Sequence, residues 1–321
     1  MIIITGAAGF IGSNMVSKLN SEGINDIAIV DDFTSEIKNR NLSNKTFRDQ
    51  IDRNKFFEWL DRNHINIQFI AHIGARTDTA ESDKNVFDRL NLEYSKRVWD
   101  CCVKYNIPLI YASSAATYGL GENGFSDDHK LIEKLKPLNL YGESKNEFDK
   151  WVLRQKTSPP YWAGLKFFNV YGPNEYHKGR MASVIYHAWC QVIKTGKIKL
   201  FRSHNPEYRD GEQKRDFIYV KDVLDVIYFL MNSRKYQGIY NLGTGRARTF
   251  LELAGNIFKS TGRTENIEFI DTPEDIRDRY QYFTRAEMEK LKLAGYSREF
   301  TDIEAGINEY INDYLAGMKY N

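Results

Sequence analysis

Three groups of residues have types and spacings that could do chemistry. Gly6, Gly9 and Gly12 stand three apart in Gly6-Ala7-Ala8-Gly9-Phe10-Ile11-Gly12. Glycines so placed permit a tight turn and bring the N–H groups of a helix N-terminus against a pyrophosphate. Asp31 and Asp32 follow about twenty residues later, where a carboxylate suits the ribose 2′-hydroxyl of NAD. Lys38 and Lys45 lie in the next loop and Arg53 beyond it. Cations there would instead pair with the 2′-phosphate of NADP. These residues alone leave the two dinucleotides open. The third group is Ser113-Ser114 with Tyr141-Gly142-Glu143-Ser144-Lys145. Tyr and Lys at i and i+4 share a helix face. An ammonium there stabilises phenolate and lowers the tyrosine pKa. Tyr141 is then an acid/base for a substrate hydroxyl, Ser114 bonds the same oxygen, and Lys145 also reaches the nicotinamide ribose.

The elements around these groups alternate. A β-branched run at 2–5 precedes the glycine turn, and an amphipathic stretch at 12–21 follows it. Apolar runs at 27–30, 67–72, 108–113 and 163–170 read as strands, and 56–63, 91–105 and 141–155 as helices. Runs this continuous predict a parallel sheet covered on both faces. After Tyr171-Gly172-Pro173 the pattern loosens into stretches rich in charge and tyrosine. A strand at 216–220, a helix at 222–231 and strands at 238–242 and 267–270 close the reading. The predicted fold class is α/β, a Rossmann-type doubly wound parallel sheet with a smaller, interleaved C-terminal substrate domain. The first domain takes residues 1–170 and about 216–247, the second about 171–215 and 248–321.

With 45 Lys plus Arg against 43 Asp plus Glu, the net charge is +2, which argues against a nucleic-acid partner. The 42% hydrophobic and 27% charged fractions exclude wholesale disorder. No apolar run approaches the ~20 residues of a membrane span, and the opening residues lack a signal-peptide pattern, so the expected address is cytoplasmic with no membrane partner. Cys101, Cys102 and Cys190 read as free thiols, and the six histidines have no metal-ligand spacing, so no metal is expected.

Together, the glycine turn, Ile73-Gly74-Ala75, Ser113-Ser114-Ala115-Ala116-Thr117-Tyr118-Gly119, Tyr141-x-x-x-Lys145 and Phe168-Asn169-Val170-Tyr171-Gly172-Pro173 resemble the extended short-chain dehydrogenase/reductases, along essentially the whole chain. That family mostly modifies nucleotide-activated sugars. Four further stretches resemble its ADP-heptose 6-epimerase branch. They are Tyr176-His177-Lys178-Gly179-Arg180-Met181-Ala182-Ser183-Val184, Lys214-Arg215-Asp216-Phe217, Asn241-Leu242-Gly243-Thr244-Gly245-Arg246-Ala247, and Arg279-Tyr280-Gln281-Tyr282-Phe283-Thr284 leading to Leu293-Ala294-Gly295-Tyr296.

The resemblance implies an NADP-dependent epimerisation, with NAD the other dinucleotide, through a ketone at carbon six. Its product would supply heptose for lipopolysaccharide core or another surface glycan. Tyr141 would handle the proton for one epimer and Lys178 for the other. One fixed acid/base cannot serve both, because inversion moves the hydroxyl to the opposite side. Cofactor contacts would come from Gly6, Gly9, Phe10, Ile11, Gly12, Asp31, Asp32, Lys38, Arg53, Ile73, Gly74, Ala75, Arg76, Thr77, Asn91, Tyr141, Lys145, Val170 and Lys178. Ser114, Asn169, Arg180, His187, Phe201, Arg202, Ser203, His204, Arg215 and Tyr280 would hold the sugar nucleotide, with Arg215 on the diphosphate. The expected assembly is a homo-oligomer, a pentamer being one option. Asp32 and Arg180 depart from the Asn and Ser of the pattern, and residues 205–213 form a longer segment than usual.

Three readings compete. A UDP-hexose 4-epimerase shares Ser114, Tyr141 and Lys145 but does not explain Lys178. A non-catalytic dinucleotide sensor would have no need of the intact trio. A 4,6-dehydratase needs carboxylates where this chain has Ala115 and Ala116.

Overall fold

The computed structural model describes residues 1–277 and 280–321. Its strands in chain order are β1 (Ile2–Thr5), β2 (Ile27–Asp31), β3 (Asp49–Asp52), β4 (Phe69–His72), β5 (Leu109–Ser114), β6 (Trp162–Phe167), β7 (Asn169–Tyr171), β8 (Ile198–Phe201), β9 (Lys214–Tyr219), β10 (Gly238–Leu242), β11 (Ala247–Thr249) and β12 (Ile267–Ile270). Seven of them form a parallel sheet in the order β10-β6-β5-β4-β1-β2-β3. β1, β2, β4 and β10 are buried at every residue, as strands covered on both faces require. The order reverses between β1 and β4. The carboxyl ends of these two strands therefore flank the crevice where such sheets bind ligands.

Local capping sets the helices that matter for the site. Asn139 Oδ1 accepts from Gly142 N at 2.9 Å and starts the helix Leu140–Leu153, placing Tyr141 in its first turn. Ser183 Oγ accepts from Tyr186 N at 3.2 Å and starts the helix Val184–Thr195, which ends at left-handed Gly196.

Two predicted elements differ. The run at 163–170 is not one strand. Phe168 N donates to Leu242 O, and Val170 N donates back to Phe168 O at 2.9 Å, so the chain turns there. β6 stays in the large sheet while β7 pairs with β9 in a separate three-stranded sheet with β11. The helix predicted from residue 91 runs Tyr94–Lys104, preceded by a wider π-type segment, Asp88–Glu93, that buries Asn91.

Apolar side chains gather in two cores. One sandwiches the large sheet and includes Met15, Trp99, Phe148 and Ile227, with Met288, Leu291 and Tyr296 added from late in the chain. The other joins Tyr171, Ile185, Phe217, Phe258, Ile307 and Tyr310. Phe10, on the glycine-turn helix, packs into the second core and so ties the turn to both. Among the described residues no helix is long and apolar enough to cross a membrane.

Candidate active site

The glycine turn is shaped by backbone crowding. Gly6 has φ +69°, and a Cβ added there would lie 2.5 Å from Gly74 Cα. One added at Gly74 would lie 2.9 Å from Gly6 N. The turns after β1 and β4 thus pack backbone on backbone, which only glycine allows. A Cβ at Gly12 would sit 2.1 Å from Gly6 O. Gly9 differs: it caps the helix Phe10–Ser21 without a side-chain hydrogen bond, and an added Cβ would meet only Gly6 O, at 3.1 Å. The helix N-terminus therefore has free N–H groups, the arrangement that binds a phosphate.

A cavity of about 410 Å³ opens there. Of the predicted cofactor residues it is lined by Gly6, Gly9, Phe10, Ile11, Gly12, Asp31, Lys38, Arg53, Ile73, Gly74, Ala75, Arg76, Thr77 and Lys178. Asp31 is buried; it accepts from Ala8 N at 2.8 Å, Asp32 N at 2.7 Å and Lys38 Nζ at 2.5 Å. Asp32 pairs with Arg53 at 3.0 Å, and bonds from Thr34 hold its carboxyl below the usual range. Arg53 Nε is buried without a partner. Two of the three cations expected near a 2′-phosphate, Lys38 and Arg53, thus stand at the end of β2, each on a carboxylate. Lys45 turns away, to the Asn321 carbonyl. A dinucleotide fits this donor set: an uncapped helix terminus, a bare Gly9, and a carboxylate and two cations at the ribose end.

The remaining predicted cofactor residues lie off the cavity wall. Asn91 is buried and clamps the Arg76 loop, bonding Arg76 N at 2.8 Å, Arg76 O at 3.0 Å and Ser144 Oγ at 3.0 Å. Its amide is spent on protein. Val170 is half-buried in β7, opposite Ile218.

Ser114 ends β5, and its Oγ accepts from Ala116 N at 3.1 Å. Tyr141 is half-buried; burial pushes its hydroxyl above the usual phenol range, and the Ser114 hydroxyl pulls it back. Lys145 is buried, donates to Ala112 O at 2.8 Å and is pushed down by burial to about 8. One donor of the Lys145 ammonium is thus held by a β5 carbonyl, and Tyr141 lies beside Ser114. Burial also lowers the Lys178 ammonium, against the opposing charge of Glu175. Its Nζ lies 5.1 Å from the centre of the Phe10 ring.

The predicted sugar-nucleotide residues fall into two groups. Arg215 is buried, its guanidinium 5.4 Å from the Tyr280 ring, with bonds to the Lys214 and Gln281 carbonyls. Phe201 packs edge-on against Tyr280 at 6.1 Å. Ser203 N donates to Asp210 at 2.8 Å, His204 N to Tyr282 OH at 3.0 Å, and Arg202 pairs with Asp210 and Asp271. These form one aromatic–cationic cluster. Arg180 and His187 belong to another part of the cleft. Arg180 is exposed and pairs with Asp78 at 3.1 Å, and half-buried His187 faces the Arg180 carbonyl at 3.4 Å. Asn169 is exposed. Arg279 lies outside the described residues.

Sequence reasoning missed Thr5, Val30, His72, Asp78, Leu90, Tyr94, His177 and Met181, which also line the cavity. Adjacency could have found His177 beside Lys178, and Asp78 after Thr77. His72 is buried between Thr5 Oγ1 at 2.7 Å and Ser95 Oγ at 2.9 Å, and burial pushes it down to about 3. Behind Ser114, Lys166 and Asp149 form a fully buried pair at 2.8 Å, joined by Thr117, Ser113 and Tyr111. Among the described residues no group of three or more His, Cys, Asp or Glu could hold a metal ion.

Known proteins resemble the chain over its whole length. It is 47% identical to an ADP-L-glycero-D-manno-heptose-6-epimerase of Fusobacterium nucleatum, covering 98% of both chains. It is 46% identical to that of Nitratidesulfovibrio vulgaris, again covering 98% of each. The crystal structure of the Helicobacter pylori ADP-L-glycero-D-manno-heptose-6-epimerase superposes with a TM-score of 0.80 at 27% identity, over 97% of this chain and 95% of that one. A UDP-N-acetylglucosamine 4-epimerase from Methanobrevibacter ruminantium shares the fold, with a TM-score of 0.82 at 21% identity over 99% and 98%. The sequence profile of one family matches residues 2–243, which contain the glycine turn, Ser114, Tyr141, Lys145 and Lys178. With that match and these relatives, the chain belongs to the NAD dependent epimerase/dehydratase family.

Proposed function

We propose that the chain is an NADP-dependent ADP-L-glycero-D-manno-heptose 6-epimerase that inverts carbon six through a transient 6-ketone. The names of relatives at 46–47% identity support the substrate. The observation that carries the mechanism is Lys178, an ammonium lowered by burial on the wall of the same cavity as the glycine turn.

When bound, the nicotinamide supplies reversible hydride transfer at one sugar carbon. The chain supplies the proton chemistry. Tyr141, beside Ser114, handles the proton of the carbon-six hydroxyl for one epimer. Lys178 handles it for the other, and the burial that lowers its ammonium's pKa makes its proton easier to release. Ser114 orients the oxygen, and Lys145 would hold the nicotinamide ribose. Arg215, with Tyr280 and Phe201, would take the diphosphate and its base, since a guanidinium bonds phosphate in bidentate fashion. Asn169, Arg180 and His187 would meet the sugar. The division into a dinucleotide domain and a substrate domain, and a homo-oligomeric assembly with a pentamer as one option, belong to the same reading.

Tyr141→Phe and Lys178→Met test it together. Each should abolish net epimerisation, because the cycle needs both protons. Each should still reduce or oxidise an analogue that needs no second group. Lys178→Met turning over near the parental rate would leave Lys178 a binding residue. For the cofactor, Lys38→Met combined with Arg53→Met should weaken NADP binding far more than NAD binding. Equal losses would return the choice to Asp31 and Asp32.

A further inference from the structure

Glu175 is a buried carboxylate that the mechanism leaves without a task. It precedes Lys178 by one helical turn's length of chain and is fully buried. A carboxylate so placed persists only where donors surround it. Glu175 Oε1 accepts from Gly172 N at 3.4 Å, from Ser183 Oγ at 2.7 Å and from Tyr310 OH at 3.0 Å. Its Oε2 accepts from Ser183 N at 2.5 Å. Burial pushes the carboxyl up, and the Lys178 ammonium, Ser183 and Tyr310 pull it back.

These donors bracket Lys178. Gly172 lies before it, just past β7, and Ser183 after it, at the cap of the helix Val184–Thr195. Between them Lys178 N donates to Glu175 O at 3.0 Å, and the chain reverses at Gly179, whose φ +52° and ψ −130° favour glycine. Tyr310 comes from far along the chain. It is buried in the second core, where it continues the helix Ile303–Glu309. One side chain thus joins both ends of a loop and anchors them to that core. An apolar side chain could fill the same space but could not gather these donors.

We propose that Glu175 is the positioning residue of Lys178, its carboxylate closing the loop from Gly172 to Ser183 so that the Lys178 side chain stays on the cavity wall. The proposal rests on the two-proton reading above and adds to it the group that acts through Lys178.

The test is a single turnover. The full chain, loaded with reduced dinucleotide, receives the 6-ketone of the ADP-heptose and is quenched before a second event, and the two carbon-six epimers are quantified. Carbon six accepts hydride, and its oxygen takes a proton from Tyr141 for one epimer and from Lys178 for the other. The epimer ratio therefore compares the two faces within one sample. Lys178→Met identifies the epimer that depends on Lys178. Glu175→Gln keeps the length but loses the charge and turns an NH2 group toward a donor. It should lower that same epimer about tenfold or more relative to the other, the scale of a small misplacement of a reacting group. In steady-state epimerisation its kcat should fall while KM and dinucleotide content stay within about twofold of the parent. Circular dichroism reports folding. Tyr310→Phe, which removes one donor and keeps the ring, carries the same test where Glu175→Gln does not fold, with a smaller shift in the same direction. Equal slowing of both epimers, or an unshifted ratio beside a shifted Lys178→Met, would overturn the proposal and leave the two-proton reading intact. An unshifted ratio in Lys178→Met itself would overturn both.

Discussion

An added Cβ at Gly9 would meet only the Gly6 carbonyl oxygen, at 3.1 Å, whereas at Gly12 it would stand 2.1 Å from the same atom. Gly9 also has ordinary extended backbone, φ −73° and ψ −179°, which valine adopts without strain. Gly9→Val should therefore cost the fold less than ~1 kcal/mol, no more than about 2 °C in Tm for a chain of this size. Its methyl groups would project where a pyrophosphate meets the helix N-terminus. Two charge-assisted bonds at about 1.5 kcal/mol each amount to about 3 kcal/mol, a loss of about a hundredfold in dinucleotide affinity. Gly12→Ala should do the reverse in order of severity. Forcing a side chain against a carbonyl costs about 1–3 kcal/mol, a Tm fall of several degrees, with dinucleotide lost as the turn distorts. Dinucleotide released from denatured protein, circular-dichroism melts and calorimetric titration read all three quantities. A Gly9→Val protein that retains the parental dinucleotide content would refute the phosphate assignment. A Tm loss larger for Gly9→Val than for Gly12→Ala would refute the crowding argument.

Two further outcomes follow from buried charge. Lys166→Met leaves the Asp149 carboxylate fully buried without its ammonium and should cost about 3–5 kcal/mol by denaturant titration; a loss under ~1 kcal/mol would show that the pair is dispensable. His72, held down to about 3 against an ordinary 6.5, contributes stability that is complete above pH 6.5 and is lost as pH falls toward 3, because the unfolded ring protonates first. His72→Gln should make the acid limb of the stability curve shallower in that window, and an unchanged limb would exclude His72 as its source.

The sequence made local features legible and left distant ones hidden. The glycine spacing, the apolar runs of β1, β2 and β5, and the Tyr141/Lys145 spacing are short-range signals, and each reappears near its expected place. The turn at Phe168 does not show in a continuous apolar run, because it depends on a bond to Leu242, far along the chain. The pairing of Asp149 with Lys166 leaves no sequence signal, since nothing in either neighbourhood announces the other. The shared helix face of Tyr141 and Lys145 is legible from their spacing, whereas the bond from Lys145 to the Ala112 carbonyl of the adjoining strand is not. Asn41 lies in a polar loop with no pattern of its own, and its link between Ala8 and Asn174 exists only once three segments converge.

Proton NMR of ADP-L-glycero-D-manno-heptose turned over by the parent protein in deuterated water tests the central claim most directly. The account predicts interconversion of the two carbon-six epimers with the carbon-six hydrogen retained, since that hydrogen travels as hydride and never mixes with solvent. Deuterium at carbon six, or no conversion by protein carrying its dinucleotide, would contradict it.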